Sequence, residues 1–501
     1  MRSIKKILVA NRGEIALRIM RTAREMNIAT VAVFSEADRK SPHVRYADEA
    51  ICIGPAPSSE SYLRGDKIIQ VCKDLNVDAI HPGYGFLSEN AGFAKMVQGA
   101  GIIFIGPSPE AIEVMGRKLA AKQAASQYNI PMVPGTEMAI TDRAEAKTRA
   151  REIGYPILIK ASAGGGGKGM RVVDNEIDFD EQMDRAVSEA QTSFGDGSVF
   201  IEKYITSPKH IEIQILGDQH GNIIHLFERE CSIQRRHQKV IEEAPSISIS
   251  NETRVEMGRC AIDVAKSCGY YGAGTVEFIL DEKGNFYFLE MNTRLQVEHP
   301  VTEEITGVDL VKQMIYIAEG KPLAIKQRDL SIKRHAIEVR VYAEDASNNF
   351  LPDVGTLHTY MKPDGNGVRV DDGFEQGMDI PIYYDPMIAK LITYGADREE
   401  AIQKMTRAID EYQISGVQTT LPFCKFVMNH PAFVSGEFDT NFVSTHFQPE
   451  MLVGEIKEDA LKLAAIISAS LLKKSEPGAG FVSASENKKA SSWKLRSLRN
   501  H

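Results

Sequence analysis

The stretch Glu290-Met-Asn-Thr-Arg-Leu-Gln-Val-Glu-His-Pro300 follows the run Phe286–Leu289 and carries a charged or amide side chain at every second position. In an extended chain, a residue and its second neighbour lie on the same face. One face would therefore present carboxylates, amides and a guanidinium together. An ordinary strand with one exposed face shows the same alternation, but Asn is depleted in strands and Glu mildly so. The residue types favour a strand that carries functional groups.

The residues before this stretch have the pattern of a β-hairpin. The alternating segment Gly274–Leu280 and the strand Phe286–Glu290 flank a polar turn, Asp281–Asn285. A register that pairs Leu280 with Tyr287 is expected. It places two glutamates, one from each strand, directly opposite each other.

Glu277 and Glu290 are these two facing glutamates. Like charges directly across a ladder are destabilising, so a compensating cation is expected. Mg²⁺ prefers one or two carboxylates together with substrate phosphate oxygens. Two carboxylates and an amide, Glu277, Glu290 and Asn292, are therefore the predicted Mg²⁺ ligands, and Mn²⁺ is the alternative ion.

The composition is that of an ordinary globular protein. The chain has 501 residues, 43% hydrophobic and 25% charged, a length that suggests roughly two to four domains. A net charge of −9 argues against broad nucleic-acid binding. The six cysteines have no zinc-binding spacing, which favours free thiols in a reducing cytoplasm. The longest apolar helix, Leu461–Leu472, falls far short of the ~20 residues of a membrane span. We therefore predict a cytoplasmic protein without a membrane segment.

Strands alternate with helices in the first third of the chain. Strands are predicted at 7–10, 29–34, 78–80 and 102–105, and helices at 14–26, 66–76 and 89–98. This alternation predicts a parallel, doubly wound sheet. A dinucleotide-binding site is the alternative, but the first turn has only Gly13 in place of GxGxxG. His81, at the end of the third strand, fits a structural role as well as a catalytic one.

A glycine-rich loop interrupts two apolar strands in the second third. Residues 164–167 and Gly169 are glycines around Lys168, and they lie between the strands Tyr155–Lys160 and Met170–Val173. Glycines let backbone N–H groups approach phosphate oxygens, and the lysine adds positive charge. A flexible linker is the alternative, but linkers are rarely held between apolar strands. We predict a mobile lid over a phosphate, distinct from a P-loop because Lys168 precedes glycine.

A basic cluster lies between Arg229 and Lys239, close to the carboxylate hairpin in sequence. Such a run is usually a solvated face. The cluster lies between the alternating, buried-looking strand His210–Leu216 and the carboxylate hairpin. This position makes anion binding an equally good interpretation. Both interpretations stay open at this point.

Taken together, these motifs resemble biotin carboxylases of the ATP-grasp superfamily, across residues 3–447. The stretches that carry the resemblance are Val9–Ala16, His81–Glu89, Lys160–Gly169, Gln234–Lys239 and Glu290–Pro300. The resemblance implies an α/β fold with three parts. These are a doubly wound parallel-sheet N-terminal domain (1–115), an ATP-grasp α+β module (116–330, with a mobile glycine-rich lid at about 132–204) and a mixed C-terminal domain (331–447).

The resemblance also implies the roles of individual residues. The implied ATP contacts are Lys118, Lys160, Gly166, Gly167, Glu202, Lys203, Tyr204, Ile205, His210, Gln234 and His237. The implied bicarbonate contacts are Lys239, Arg294, Gln296 and the backbone of Val297. Glu298 is the expected general base, Arg340 the expected cation for the biotin ureido oxygen, and Lys239 and Arg294 the other catalytic cations. The implied Mg²⁺ ligands agree with the hairpin argument.

The implied reaction is the carboxylation of biotin with ATP and bicarbonate, through carboxyphosphate. No Met-Lys-Met acceptor sequence occurs, so biotin is expected on a separate carrier protein, with a carboxyltransferase and a homodimer as further expectations. Another ATP-grasp ligase and a non-catalytic nucleotide-binding regulatory subunit are the alternatives. The segment 448–501, with Trp493 among basic residues, is either a disordered tail or a segment that docks on a partner.

Overall fold

The computed structural model describes residues 3–116, 121, 128–136, 138–161, 170–194, 196–236, 238–452, 462–463 and 465–470. The chain divides into two units, residues 1–452 and 453–501. Within the second unit, residues 462–463 and 465–470 are helical. Trp493 and the basic residues around it lie outside the described residues, so the docking prediction for the tail stays a prediction.

The strands are β1 Lys6–Val9, β2 Ala29–Ser35, β3 Glu49–Gly54, β4 Ala79–His81, β5 Ile103–Phe104, β6 Ile157–Ala161, β7 Met170–Val173, β8 Val199–Lys203, β9 Lys209–Gly217, β10 Ile223–Arg235, β11 Gln238–Ala244, β12 Gly272–Leu280, β13 Phe286–Asn292, β14 His335–Tyr342, β15 Glu344–Asp345, β16 Leu351–Pro352, β17 Thr359–Met361, β18 Val368–Asp372, β19 Met387–Gly395 and β20 Gln413–Ser415. The helices are α1 Gly13–Glu25, α2 Pro42–Tyr46, α3 Gly65–Asp74, α4 Ala91–Gly99, α5 Pro109–Gly116, α6 Arg143–Ile153, α7 Phe179–Phe194, α8 Asn251–Ser267, α9 His299–Thr306, α10 Leu310–Ala318, α11 Arg398–Glu411, α12 Leu421–Asn429, α13 Pro431–Ser435 and α14 Phe442–His446.

The first sheet is parallel and has the order β3-β2-β1-β4-β5. The predicted doubly wound N-terminal sheet is therefore confirmed, and the predicted elements agree within a few residues. The strand β3 is not among the predicted strands; it lies at the edge of the sheet and is mostly half-buried. Consecutive parallel strands joined by helices bury both faces of the sheet.

The turn after β4 is rigid. Gly83 has φ +64°, and a Cβ there would lie 2.9 Å from the Asn11 side chain, so glycine is required. Asn11 donates to the carbonyls of Pro82 and Tyr84, each at 2.7 Å. The His81 Nδ1 accepts from the N–H of Gly83 at 3.1 Å, and burial lowers the pKa of this fully buried imidazole to about 3. These contacts favour the structural interpretation of His81.

The largest sheet that the structure describes is antiparallel and has the order β13-β12-β9-β10-β11-β14-β19-β18. It crosses the predicted boundary at residue 330, because β11 pairs with β14. A separate sheet, β7-β6-β8, packs with α6 and α7 around its own small core. The glycine loop, residues 162–169, lies outside the described residues, so its role as a lid stays a prediction.

Two local predictions differ from the structure. Leu280 pairs with Phe286, and Glu277 still faces Glu290 because a bulge leaves Leu289 as the extra residue. The strand through 290–298 ends at Asn292, where the chain turns. No described helix is long and apolar enough to cross a membrane.

Candidate active site

Three glutamates form a row across the large sheet. Glu212 of β9 pairs with Glu277 of β12, and Glu277 pairs with Glu290 of β13. Glu212 is fully buried and Glu277 is 5% exposed. Such a row of acids needs cations close by, because like charges on facing strands repel.

Lys239, on β11, supplies one such cation. Its Nζ lies 2.5 Å from Glu212 Oε2, 3.0 Å from Glu277 Oε1 and 2.8 Å from Glu298 Oε1. Burial would lower the pKa of this ammonium, but the three carboxylates outweigh burial and raise the pKa of Lys239 well above its usual value. Lys239 is therefore a permanent cation at the centre of the site.

Glu298 lies at the end of the stretch that begins at Glu290, immediately before α9. The chain leaves the ladder after Asn292, where the N–H of Thr293 donates to Glu89 Oε1 at 3.1 Å. The two oxygens of Glu298 face different cations, Lys239 at 2.8 Å and Arg340 at 3.0 Å. Burial opposes ionisation, but these cations hold the pKa of Glu298 well below its usual value. Glu298 is thus an ionised, buried carboxylate.

Arg340 lies on β14, a fully buried strand in which the spacing of two places Glu338, Arg340 and Tyr342 on one face. Its Nη2 lies 2.6 Å from Glu242 Oε1 and 3.0 Å from Glu298 Oε2. Burial would lower the pKa of this guanidinium, but its acidic partners raise the pKa well above its usual value. Arg340 is held between two carboxylates and stays charged.

Arg229 is a completely buried guanidinium beneath this cluster. It donates to Glu212 Oε1 at 2.5 Å and to Gln296 Oε1 at 2.7 Å, with further bonds to Gln214, Thr275 and Thr302. The Nε2 of Gln296 donates in turn to Glu277 Oε1 at 2.9 Å. Charge-assisted bonds of this kind fix the orientation of the Gln296 amide.

Arg294 and Val297 lie in the turn between β13 and α9. The Nε of Arg294 lies 2.9 Å from Glu89 Oε2, and its Nη2 donates to Asn292 Oδ1 at 3.2 Å. The side chain of Arg294 is 22% exposed, so solvent reaches it. The carbonyl of Val297 accepts from the Lys390 Nζ at 2.8 Å. The contacts with Glu89 and Lys390 thus hold the two ends of this turn in place.

The predicted metal ligands lie together on β12 and β13. Glu277 faces Glu290, and the Nδ2 of Asn292 donates to Glu277 Oε1 at 2.9 Å. Glu277 Oε2 also lies 3.1 Å from His210 Nε2. Burial opposes ionisation of Glu277, but Lys239 and His210 hold its pKa well below the usual value. Ionised carboxylate and amide oxygens fit a hard divalent cation such as Mg²⁺.

The predicted nucleotide residues that the structure describes lie on β6, β8, β9 and β10 and in the segment directly after β8. Lys160 forms an ion pair with Glu202 across β6 and β8. The Nζ of Lys203 donates to the carbonyls of Gly154 and Tyr155, at 2.8 and 2.9 Å, and the N–H of Tyr204 donates to Pro156. Ile205 is half-buried beyond β8, and Gln234 Nε2 donates to Cys231 O at 2.9 Å. Lys118, Gly166, Gly167 and His237 lie outside the described residues.

The structure therefore gathers Lys239, Gln296, Glu298, Arg340 and Glu277 into one connected network. It adds residues that sequence reasoning did not single out, namely Glu89, Glu212, Arg229 and Glu242. The alternation of His210, Glu212 and Gln214 on β9 was the available signal for Glu212. A buried Arg such as Arg229 gives no sequence signal of its own, because it resembles a member of a solvated basic cluster.

Three family models match the chain. The N-terminal domain of biotin carboxylase matches residues 3–112, and the biotin carboxylase C-terminal domain matches residues 338–445. The ATP-binding domain of the carbamoyl-phosphate synthase L chain matches residues 117–326. Together these matches cover most of the chain.

Similar proteins carry corresponding names. "Biotin carboxylase 1" of Bacillus subtilis is 52% identical over 444 residues, covering 88% of this chain and 99% of that protein. The human mitochondrial propionyl-CoA carboxylase alpha chain is 52% identical over 470 residues, and the match covers 93% of this chain and 65% of that longer protein.

Solved structures agree. A biotin carboxylase–β,γ-ATP complex from Campylobacter jejuni is 49% identical with a TM-score of 0.84, covering 89% of this chain and 99% of that one. The dimeric biotin carboxylase domain of Hydrogenobacter thermophilus 2-oxoglutarate carboxylase, solved with MgADP and bicarbonate, is 47% identical with a TM-score of 0.83, covering 90% and 99%. The sequence-based assignment to an ATP-dependent ligase is confirmed, and the chain belongs to the biotin carboxylase family.

Proposed function

We propose that this site carboxylates biotin held on a separate carrier protein, with ATP and bicarbonate as co-substrates. The observation that carries the proposal is the position of Glu298 between Lys239 and Arg340. An ionised carboxylate beside Lys239 can accept a proton from an anion that Lys239 also binds. Neither alternative function, another ligase or a regulatory subunit, needs this combination.

Bicarbonate would bind beside Glu298. Lys239 and Arg294 supply the positive charge, and a planar guanidinium matches two oxygens of a planar anion. The amide of Gln296 is fixed by Arg229, and the backbone of Val297 by Lys390, so both are already oriented before the substrate arrives. Because these groups are oriented before the substrate binds, the entropic cost of reaching the reactive geometry is lower.

In the first step, Glu298 takes the proton of bicarbonate as general base. An oxygen of the resulting anion attacks the γ-phosphorus of ATP, and the bond from that phosphorus to the bridging oxygen of ADP breaks. The lysines Lys118 and Lys160 are proposed to hold the phosphates. Mg²⁺, held by Glu277, Glu290 and Asn292, would neutralise charge that develops on the phosphate oxygens.

In the second step, carboxyphosphate dissociates into CO₂ and phosphate. The released phosphate takes the N1 proton of the biotin ureido group, and N1 then forms a bond to the carbon of CO₂. Negative charge develops on the ureido oxygen during this proton loss. Arg340 is proposed to hold that oxygen, as the donors of an oxyanion hole do.

The adenine side of ATP is proposed to contact Glu202, Lys203, Tyr204 and Ile205, with His210, Gln234 and His237 near the ribose and phosphates. Because the Lys203 ammonium is already bound to two carbonyls, its contribution would come mainly from the backbone. The glycine loop with Gly166 and Gly167 is proposed to close over the phosphates.

The proposed protein partners are based on the proteins that this chain resembles. Relatives include the alpha chains of propionyl-CoA and methylcrotonoyl-CoA carboxylases, which are parts of biotin-dependent carboxylases. We propose a biotin carboxyl carrier protein and a carboxyltransferase as partners, a homodimer as the assembly and the cytoplasm as the location. The proposed domains are 1–115, 116–330 and 331–447.

The experiment that tests the function measures phosphate release from ATP by the full chain with free biotin. We expect release that requires both bicarbonate and biotin, at a low rate, because a tethered carrier supplies an effective concentration that free biotin lacks. Phosphate release that does not depend on biotin but requires an amine would identify another ATP-grasp ligase. Nucleotide binding without any turnover would identify a regulatory subunit.

A further inference from the structure

Two buried glutamates face each other directly behind Arg340. Glu242 of β11 and Glu338 of β14 are cross-strand partners, and both have no exposed surface. Facing side chains in an antiparallel ladder have Cβ atoms about 4.5–5.5 Å apart. Since residues two apart share a face, Glu338 also lies on the face of Arg340.

The hydrogen bonds of this pair are unequal. Glu242 Oε1 accepts from the Arg340 Nε at 2.7 Å. Glu242 Oε2 and both oxygens of Glu338 have no hydrogen-bond partner among the described residues. A buried carboxylate without a partner is strongly disfavoured, whereas a protonated carboxyl can donate its own hydrogen bond.

The surrounding charges do not supply the missing donor. The groups that face Glu338 from the packed elements are Glu242 on β11, Arg340 on its own strand, Lys390 on β19, Glu298 before α9 and Tyr84 in the turn after β4. Arg340 binds Glu242 and Glu298, as described above. Lys390 lies 3.2 Å from Glu14 and donates to Val297, and the hydroxyl of Tyr84 donates to Glu14. The cations and the phenol are therefore already engaged.

The pKa values of Glu338 and Glu242 also favour a protonated carboxyl in this pair. Burial raises the pKa of Glu338 well above its usual value, and Lys390 and Arg340 only partly oppose this. Burial also raises the pKa of Glu242, to about 7, against the opposing effect of Arg340. Interacting carboxyls lose their protons in two steps that belong to the pair and not to either residue alone.

We propose that Glu338 stays protonated and donates a hydrogen bond to the ionised Glu242, so that the pair holds a single negative charge that positions Arg340. Glu338 is thus a positioning residue for the carboxylation reaction. The inference rests on the proposed role of Arg340 at the ureido oxygen. If both carboxyls were ionised, Arg340 would be drawn towards the pair. If Glu242 were neutral, Arg340 would be held by Glu298 alone, the residue that must be free to accept a proton.

The test uses the full chain and two substitutions of Glu338. Gln is neutral and keeps an N–H donor for Glu242, whereas Leu removes the donor. We expect the rate of turnover with free biotin to be about tenfold lower in Glu338→Leu than in Glu338→Gln. The ATP KM should stay within about twofold in both, because Arg340 is proposed to act on biotin and not on ATP. Glu256→Gln, on the exposed face of α8, is the control for the same chemical change.

Two readouts separate positioning from a merely structural role. The wild-type infrared spectrum should contain a protonated-carboxyl C=O band that Glu338→Gln loses and Glu256→Gln keeps. The alkaline decline of turnover should also move to higher pH in Glu338→Gln, because the amide cannot lose the proton that Glu338 loses.

The proposal is overturned if Glu338→Gln keeps the protonated-carboxyl band, or if Glu338→Leu matches wild type in turnover and pH profile. The infrared measurement needs no substrate. A wild-type protein that shows the band but no biotin-dependent phosphate release would therefore refute the proposed function while leaving the protonated pair intact.

Discussion

The carboxylate of Glu298 and the ammonium of Lys239 lie 2.8 Å apart in a buried site, so the proposed base is paired with a cation before any substrate binds. A paired carboxylate is a weak base. A bicarbonate anion that shares Lys239 would weaken this pairing and strengthen the base. The arrangement couples proton abstraction to the presence of bicarbonate.

The first prediction concerns the two groups that face developing charge. Glu298→Gln or Arg340→Ala should lower biotin-dependent turnover about a hundredfold or more, which is typical for loss of a general base or an oxyanion donor. The KM for ATP should change little, because neither residue is proposed to contact ATP. Steady-state kinetics with Glu256→Gln as control measure both values. Normal turnover in either variant would remove that residue from the mechanism.

The second prediction concerns Lys239 and pH. Glu277 and Glu298 have lowered pKa values in the folded protein, so their stabilising effect is complete above about pH 4.5, the unfolded value. It is lost as the pH falls through the lowered values. Lys239→Met leaves three buried carboxylates without this cation and should cost about 3–5 kcal/mol.

In Lys239→Met the pKa values of Glu277 and Glu298 should rise above the unfolded value, so the remaining stability should decrease as the pH increases through the new values. Urea unfolding of the wild type and the variant would measure the free energy of unfolding as a function of pH. A range of about pH 4 to 8 covers the values at which buried carboxyls of this kind titrate. Equal pH dependence in the two proteins would contradict the assigned role of Lys239.

The third prediction treats Glu277 and Glu290 as one metal site. Glu277→Gln and Glu290→Gln should each lower the Mg²⁺-dependent turnover of ATP. The double variant should cost much less than the sum, because residues that share one ion are not independent. Mg²⁺ titrations of the single and double variants give the coupling. Strictly additive losses would show that the two carboxylates bind no common ion.

The fourth prediction concerns the end of the first unit. Phe447 packs against Phe350 and Phe423, with ring centroids at 5.7 and 4.9 Å, and Leu452 packs on the same core. A chain that ends at Leu452 should therefore keep wild-type stability and free-biotin activity. Removal of residues 453–501 should reduce copurification with the carrier or carboxyltransferase if the tail docks. Equal partner recovery from both chains would leave the tail without a docking role.

The sequence by itself determined the hairpin, the facing pair Glu277 and Glu290, and the parallel N-terminal sheet. These features depend on local alternation and turn residues, which the chain carries within a few positions. The same holds for the face shared by Glu338 and Arg340, because period-two spacing decides it.

Only the tertiary structure decided where Glu298 lies and what surrounds it. Local spacing predicted a continuous strand to residue 298, but a bond from Thr293 to Glu89, 204 residues away, turns the chain. Arg229, Glu212 and Glu242 reach the site through strand pairings across the sheet, which no local pattern specifies. The charge state of such buried groups depends on which partners the fold brings within hydrogen-bond distance, and this is a property of the packed sheet, not of any one segment.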